Sequence, residues 1–142
     1  MRGVGLIIKR SADQALDLAE QICEFLKKRK LRVVVEQSCF DLAEVWGVDS
    51  SQKLADDADL IISLGGDGTL LQAAAQMNSR LVPVLGVNLG RVGFMAEIAP
   101  DEALDEIESA LDGHSVLSKR MMLAVTAPDG KVRKSLNEVV IH

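Results

Sequence analysis

One run of apolar residues constrains the fold more than any other feature. Residues 59–64 read Asp-Leu-Ile-Ile-Ser-Leu, and a glycine-rich turn follows at once. The run lacks the polar–apolar alternation of a half-exposed strand, so it predicts a strand that is buried on both faces. Such strands are typical of parallel sheets covered by helices. The sequence therefore predicts an α/β fold in which this strand lies inside the sheet.

Further short apolar runs alternate with helical patterns along the first 111 residues. We predict strands at 4–8, 31–35, 59–64 and 81–87, and helices at 12–28, 69–77 and 101–111. Residues 40–45 and 50–57 mix polar and apolar side chains, and their pattern assigns no element. Strands and helices in this order predict a parallel Rossmann-like sheet covered by helices, with ligands beyond the carboxyl ends of the strands.

Composition narrows the class of protein. The chain has 142 residues, 48% of them hydrophobic, which suits one compact domain. Its net charge of −5 argues against nucleic acid or an anionic membrane as a partner. No apolar stretch approaches the roughly 20 residues that a membrane-spanning helix needs. Two cysteines, Cys23 and Cys39, form no metal or disulfide framework, so we expect a reducing, cytoplasmic location.

The pattern changes near Gly113. An apolar run at 121–125 and another at 132–141 flank the turn sequence Pro128-Asp129-Gly130, which predicts a β-hairpin. A lone hairpin is marginally stable in water. We therefore divide the chain into an α/β domain at 1–116 and, at 117–142, the start of a β-rich second domain whose remainder is absent or supplied by another chain.

The segment Gly65-Gly66-Asp67-Gly68-Thr69 carries the strongest chemical signal. Glycines let the backbone approach a ligand closely, and the N–H groups that open a helix bind anions. The carboxylate of Asp67 would repel a phosphate unless it meets a cation or accepts a proton, and phosphoryl transfer to a hydroxyl requires both. The alternative is an aspartate that hydrogen-bonds its own turn. We expect Thr69 to cap the helix.

Two further segments are informative. Residues 86–94, Gly-Val-Asn-Leu-Gly-Arg-Val-Gly-Phe, follow a strand and end on an aromatic side chain. Phe94 either stacks on a base or turns into the core. Later, Asn137 and Glu138 interrupt an apolar strand; they either bind ribose hydroxyls or lie exposed on an edge strand. Neither glycine segment is a Walker loop, and Asn88 stands where a dinucleotide-binding fingerprint has its middle glycine.

The segment Gly65–Thr69, called here the glycine loop, resembles a loop that NAD kinases share with diacylglycerol and sphingosine kinases and with phosphofructokinases. The three segments in this order resemble the NAD kinase family over nearly the whole chain. The resemblance implies that Asp67 accepts the proton of the 2′-hydroxyl of the adenosine ribose of NAD, and that residues 117–142 begin an NAD-binding domain. It also implies that the second strand, the glycine loop and the next helix cradle phosphate. The implied nucleotide-binding residues are Gly66, Asp67, Gly68, Phe94, Asn137 and Glu138.

The same resemblance implies the reactants. ATP is the expected phosphoryl donor, with polyphosphate as a second donor, and a divalent metal, expected to be Mg²⁺, accompanies it without a metal site of its own in this chain. The full-length enzyme is expected to be a homo-oligomer, dimer or tetramer. One departure concerns Gln72, where many relatives carry Arg or Lys within reach of a phosphate.

Two other readings stay open on the sequence alone. The chain is either part of an active kinase or a non-catalytic nucleotide-binding or assembly domain. A lipid kinase of the diacylglycerol type ranks lower, because its glycine loop would be followed by a Gly-Thr-Gly-Asn-like motif, and residues 86–90 read Gly-Val-Asn-Leu-Gly.

Overall fold

A computed structural model of the chain describes residues 3–77, 80–90 and 93–136. Within them five parallel strands form one sheet in the order β3-β2-β1-β4-β5. The strands are β1 (Val4–Ile8), β2 (Val33–Glu36), β3 (Asp49–Ser51), β4 (Leu60–Gly65) and β5 (Val84–Asn88). The parallel Rossmann-like sheet predicted from the sequence is confirmed. The order reverses between β1 and β4, and ligands of such sheets bind at that reversal.

Helices connect the strands and cover both faces of the sheet. They are α1 (Asp13–Lys28), α2 (Phe40–Trp46), α3 (Leu54–Asp57), α4 (Asp67–Ala75) and α5 (Ala103–Leu111), with a 3-10 turn at Gln37–Cys39 before α2. Strand β4 is buried along all six residues and pairs with β1 on one side and β5 on the other. The missing alternation in its sequence is thereby explained.

The sheet separates two apolar cores. One contains Leu6, Ile22 and Ile107 and joins β1 to α1, α2 and α5. The other contains Ile7 and Leu54 and lies under α3 and α4. Helix α3 packs so closely that a Cβ atom added to Gly5 would stand 2.8 Å from Leu54 Cγ. Strand β1 thus alternates its side chains between two apolar cores.

Three elements were not predicted, and the expected cap of α4 at Thr69 was wrong. Helix α2, strand β3 and helix α3 span seven, three and four residues. Each is too short for its period to emerge from the sequence. Thr69 does not cap α4, because the carbonyl of Gly66 already accepts the N–H groups of Thr69 and Leu70, both at 3.1 Å. The helix therefore begins at Asp67, with Gly66 as its N-cap.

The predicted hairpin is present as β6 (Leu123–Thr126) and β7 (Val132–Ser135), paired antiparallel. Its turn includes Gly130, whose φ of +77° suits glycine. Large apolar side chains are exposed along 116–132: Val116, Leu117, Met121, Leu123 and Val132. Asn137 and Glu138 lie outside the described residues, and the domain boundary at 116 stays a prediction.

Both cysteines are buried and free. Burial raises the pKa of the Cys23 thiol to about 12. Among the described residues, no helix combines the length and the apolar character that crossing a membrane requires.

Candidate functional site

An open cleft of about 580 Å³ lies at the carboxyl edge of the sheet, where the strand order reverses. The ends of four strands and the start of α4 contribute its walls. The residues that line it are Ile8, Lys9, Arg10, Glu36, Ser38, Gly65, Gly66, Gly68, Thr69, Gln72, Asn88 and Gly90. The cleft thus combines the glycine loop with the first residues beyond β1, β2 and β5.

The glycine loop lets α4 start against the cleft. A Cβ atom on Gly65 would collide with Thr69 Oγ1 and stand 3.0 Å from Lys9 Cβ, so only glycine fits there. Nothing lies within 4 Å of a Cβ built on Gly68, which faces open space. Gly66 and Gly68 both line the cleft, as a role in nucleotide binding requires. The opening N–H groups of α4 make this end of the cleft favourable for an anion.

Two cations line the cleft, and they differ in their partners. The guanidinium of Arg10 forms two 2.7 Å hydrogen bonds to the carboxylate of Asp41 and donates a third to the carbonyl of Ser38. This pairing raises the pKa of Arg10 and lowers that of Asp41. No ion pair of Lys9 is found within the described part of the chain. Lys9 is thus a cation in the cleft lining that no carboxylate within ion-pair distance neutralises among the described residues.

A carboxylate on the opposite wall is held by neutral donors. Glu36, the last residue of β2, accepts two 2.9 Å hydrogen bonds from Gln72 Nε2 and one more from Gln76 Nε2. Ser38 Oγ donates to the same carboxylate at 2.9 Å. Gln72 therefore contacts Glu36 in this structure.

The side chain of Asp67, the first residue of α4, points to the neighbouring loop and not to its own helix. Its Oδ2 accepts the backbone N–H of Phe94 at 2.8 Å, and its Oδ1 accepts those of Met95 and Ala96 at 3.1 and 2.9 Å. The N–H groups of Ala96 and Phe94, and to a lesser extent that of Met95, lower the pKa of Asp67 against the opposing effect of burial. The carboxylate is thus an anion at neutral pH, and it does not hydrogen-bond its own turn.

Phe94 projects away from the core. Its side chain is 93% exposed, so the alternative of a ring turned into the core does not hold. A flat apolar surface beside the glycine loop can stack on a base.

A profile of the ATP-NAD kinase N-terminal domain matches residues 4–115. The chain belongs to the ATP-NAD kinase family. NAD kinases of Pseudomonas putida strain W619 and Pseudomonas entomophila strain L48 are each 34% identical over 152 aligned residues, which cover 99% of this chain and 50% of the relative. The chain spans about half the length of these curated relatives. Membership sets aside the lipid-kinase reading.

The fold of the ATP-NAD kinase family also appears in a structural comparison. The crystal structure of yeast NADH kinase complexed with NADH matches with a TM-score of 0.79 over 95% of this chain and 46% of that chain. Sequence identity in the match is 18%, so the likeness concerns the fold.

The described residues of this ATP-NAD kinase chain do not form a cage for a metal ion. No group of three or more His, Cys, Asp or Glu side chains with suitable geometry is found among them. The two carboxylates at the site, Asp67 and Glu36, already accept N–H donors. Mg²⁺ commonly binds without such a cage, through one or two carboxylates together with a substrate's phosphates and water.

Sequence reasoning missed four cleft residues of this family member: Lys9, Arg10, Glu36 and Ser38. Lys9 and Glu36 carried a signal, because each is a charged side chain at the carboxyl end of a buried apolar strand. Arg10 and Ser38 carried none, since their place depends on how the chain turns after β1 and β2.

Proposed function

We propose that the protein containing this chain is an NAD kinase, transferring the terminal phosphoryl group of ATP to the 2′-hydroxyl of the adenosine ribose of NAD. The observation that carries the proposal is the glycine loop with Asp67 at the start of α4, beside a cleft at the reversal of strand order. Family membership supports it. The activity belongs to the whole protein, of which this chain is about half by comparison with its relatives.

The chemistry divides among residues of this chain. Asp67 orients the ribose hydroxyl and accepts its proton while the hydroxyl oxygen bonds to the terminal phosphorus and the bond from that phosphorus to the ADP oxygen breaks. A carboxylate with a lowered pKa is a weak base. This suits a loose phosphoryl-transfer transition state, in which orientation matters more than early deprotonation. Phe94 lies against the dinucleotide.

The cleft binds the phosphates of the donor. The opening amides of α4 and the ammonium of Lys9 provide positive potential for the donor. A divalent metal, Mg²⁺, would neutralise the donor's phosphates and is carried by them. ATP and inorganic polyphosphate share the phosphate chemistry that this cleft offers, and ATP is the donor we propose. We further propose that the full-length protein is a cytoplasmic homo-oligomer.

The decisive experiment substitutes Asp67→Asn in the full-length protein and measures NADP formation from NAD and ATP. Turnover is expected to fall about 10²–10⁴-fold, the usual cost of losing a general base. Binding of NAD, measured by calorimetry, should survive, because an amide can still accept the N–H groups of Met95 and Ala96.

Asp101→Asn is the matched control, since it removes an exposed carboxylate far along the chain from the glycine loop. It should leave turnover unchanged. Near-wild-type turnover in Asp67→Asn would remove Asp67 from the chemistry. Absence of NADP formation by the unsubstituted full-length protein with every phosphoryl donor would favour a non-catalytic nucleotide-binding domain.

We also propose that Asn137 and Glu138 bind the ribose hydroxyls of NAD. A hydrogen bond involving a charged group contributes roughly 1.5–3 kcal/mol. Asn137→Ala and Glu138→Ala should therefore each weaken NAD binding about 10–100-fold, with a smaller effect on ATP. Titration calorimetry of both variants tests this. Unchanged NAD affinity in two well-folded variants would leave these residues without a part in binding.

A further inference from the structure

The backbone of residues 93–96, called here the positioning loop, holds Asp67 by both oxygens. Three successive N–H groups converge on one carboxylate, two on Oδ1 and one on Oδ2. Three directional bonds from consecutive residues fix both the place and the plane of the group. These hydrogen bonds are not needed to start α4, because the amides belong to a loop about 27 residues away in sequence and not to the first turn of the helix.

Gly93 leaves room for that carboxylate. A Cβ atom built there would stand 2.6 Å from Asp67 Cγ and 2.7 Å from Oδ2, closer than real Cβ contacts. Gly90, three residues earlier, differs, because its Cβ would meet nothing nearer than Asn88 Oδ1 at 3.9 Å. Neither glycine has the positive φ that only glycine tolerates well. Space, not backbone conformation, is what distinguishes Gly93 from Gly90.

We propose that Gly93 is a positioning residue for the phosphoryl-transfer reaction: its missing side chain lets the positioning loop close on Asp67 and orient the carboxylate toward the hydroxyl. The inference rests on the proposed function for its catalytic part. Its geometric part, that the space at Gly93 belongs to the Asp67 carboxylate, stands on the contacts alone. The two parts are tested separately.

The geometric part is tested by a double-mutant cycle on the nucleotide-free full-length protein. Gly93→Ala should lower the melting temperature by several degrees, because the methyl group and the carboxylate compete for one volume. In an Asp67→Ala background the same substitution should have little effect, since the volume is then empty. Gly90→Ala is the control and should leave the melting temperature unchanged in both backgrounds.

Each outcome of the cycle decides the point. A cost of Gly93→Ala that persists undiminished without the Asp67 carboxylate overturns the proposal. Should Gly93→Ala fail to fold, recovery of folding by added Asp67→Ala supports it, and failure of the double variant contradicts it. None of these readings depends on whether the protein phosphorylates NAD.

The catalytic part is tested by kinetics. Gly93→Ala should lower kcat about 10²-fold, the scale of a misplacement near 1 Å, while KM for NAD changes less than about threefold, because no nucleotide contact is removed. Loss of the amide bonds raises the pKa of Asp67, so the acidic limb of the kcat profile should move to higher pH. A lowered kcat with an unmoved limb would overturn the positioning role. Full activity in Asp67→Asn would instead overturn the proposed function.

Discussion

The charged residues that line the cleft differ in the partners that each one has. Arg10 points its guanidinium at Asp41, so its charge is balanced on the spot. Amide and hydroxyl donors satisfy the lone pairs of Glu36, and its negative charge remains. We expect Lys9, which forms no ion pair among the described residues, to be the cation that attracts a phosphate. Neighbouring residues of like charge, Lys9 and Arg10, thus have different tasks because of what each one faces.

This difference predicts the effect of Lys9→Gln. Removing the ammonium should raise KM for ATP about tenfold at low ionic strength, equivalent to about 1.4 kcal/mol of phosphate attraction. The effect should shrink as salt screens the charge. Initial-rate measurements of the full-length protein at two salt concentrations provide the test.

Lys28→Gln is the matched control, with the same change of charge. Lys28 ends α1, which runs back from the carboxyl edge of the sheet for roughly 24 Å at 1.5 Å per residue. At that distance, beyond the Debye length of about 10 Å at 0.1 M salt, KM for ATP should not change at the higher salt concentration and should change much less than with Lys9→Gln at the lower one. Equal effects of the two substitutions would mean that net charge, and not the cleft, governs binding of ATP.

Elements of the sheet depend on small residues where helices approach closely. Gly5 is the second residue of β1, and a Cβ atom there would stand 2.8–3.1 Å from three carbons of Leu54. Helix α3 is one turn long and contributes little hydrogen bonding of its own. Its position is therefore set by the insertion of Leu54 against Gly5.

Gly5→Ala tests this packing. The added methyl group overpacks the core under α3 and should lower the free energy of unfolding by about 1–3 kcal/mol. Leu54→Ala alone should cost about 2–5 kcal/mol through the cavity it leaves. Combined, the two should cost clearly less than their sum, because one methyl group fills part of the other's cavity. Urea denaturation of the four proteins measures the coupling; strict additivity would show that the two residues do not share a volume.

Predictability followed the length and regularity of each element. Strand β4 and helix α1 were predicted within two residues, because a continuous apolar run and a long amphipathic stripe reflect burial directly. The Asp67 carboxylate was predicted as a site residue from its chemistry alone. Its bonds to the positioning loop were not, since they depend on β4 and β5 lying side by side, a pairing that no local pattern encodes.

On the scale of the whole molecule, the α/β part buries the apolar side chains of its two cores, whereas the hairpin leaves its large apolar side chains exposed. Val132 is 62% exposed and Met121 83% exposed, and Val116, Leu117 and Leu123 are exposed as well. Strand β7 nevertheless comes within 8 Å of α4, measured between Cα atoms. Strand β7 therefore lies next to the helix that carries Asp67, and the described residues of the hairpin have no core of their own.

From this we expect a polypeptide of residues 1–142 alone to form no measurable NADP, because the hairpin and Asn137–Glu138 would lack the packing that holds them against the nucleotide. A coupled assay of NADP formation on this polypeptide beside the full-length protein is the measurement. Sustained ATP-dependent NADP production that Asp67→Asn abolishes would show that the α/β half and the hairpin suffice.

The empty space at Gly93 also bears on how freely this region can vary over generations. Different constraints act on these two neighbouring positions. At position 93 any side chain would compete with the Asp67 carboxylate for its volume. The ring of Phe94, in contrast, is exposed to solvent and is not part of a core. Folding of the described residues therefore leaves position 94 free to vary, and only the proposed contact of Phe94 with the nucleotide would restrict it. Substitution at position 93 is restricted already by the fold, before any ligand binds. Substitutions at the two positions would therefore be selected against for different reasons, at position 93 during folding and at position 94 during ligand binding.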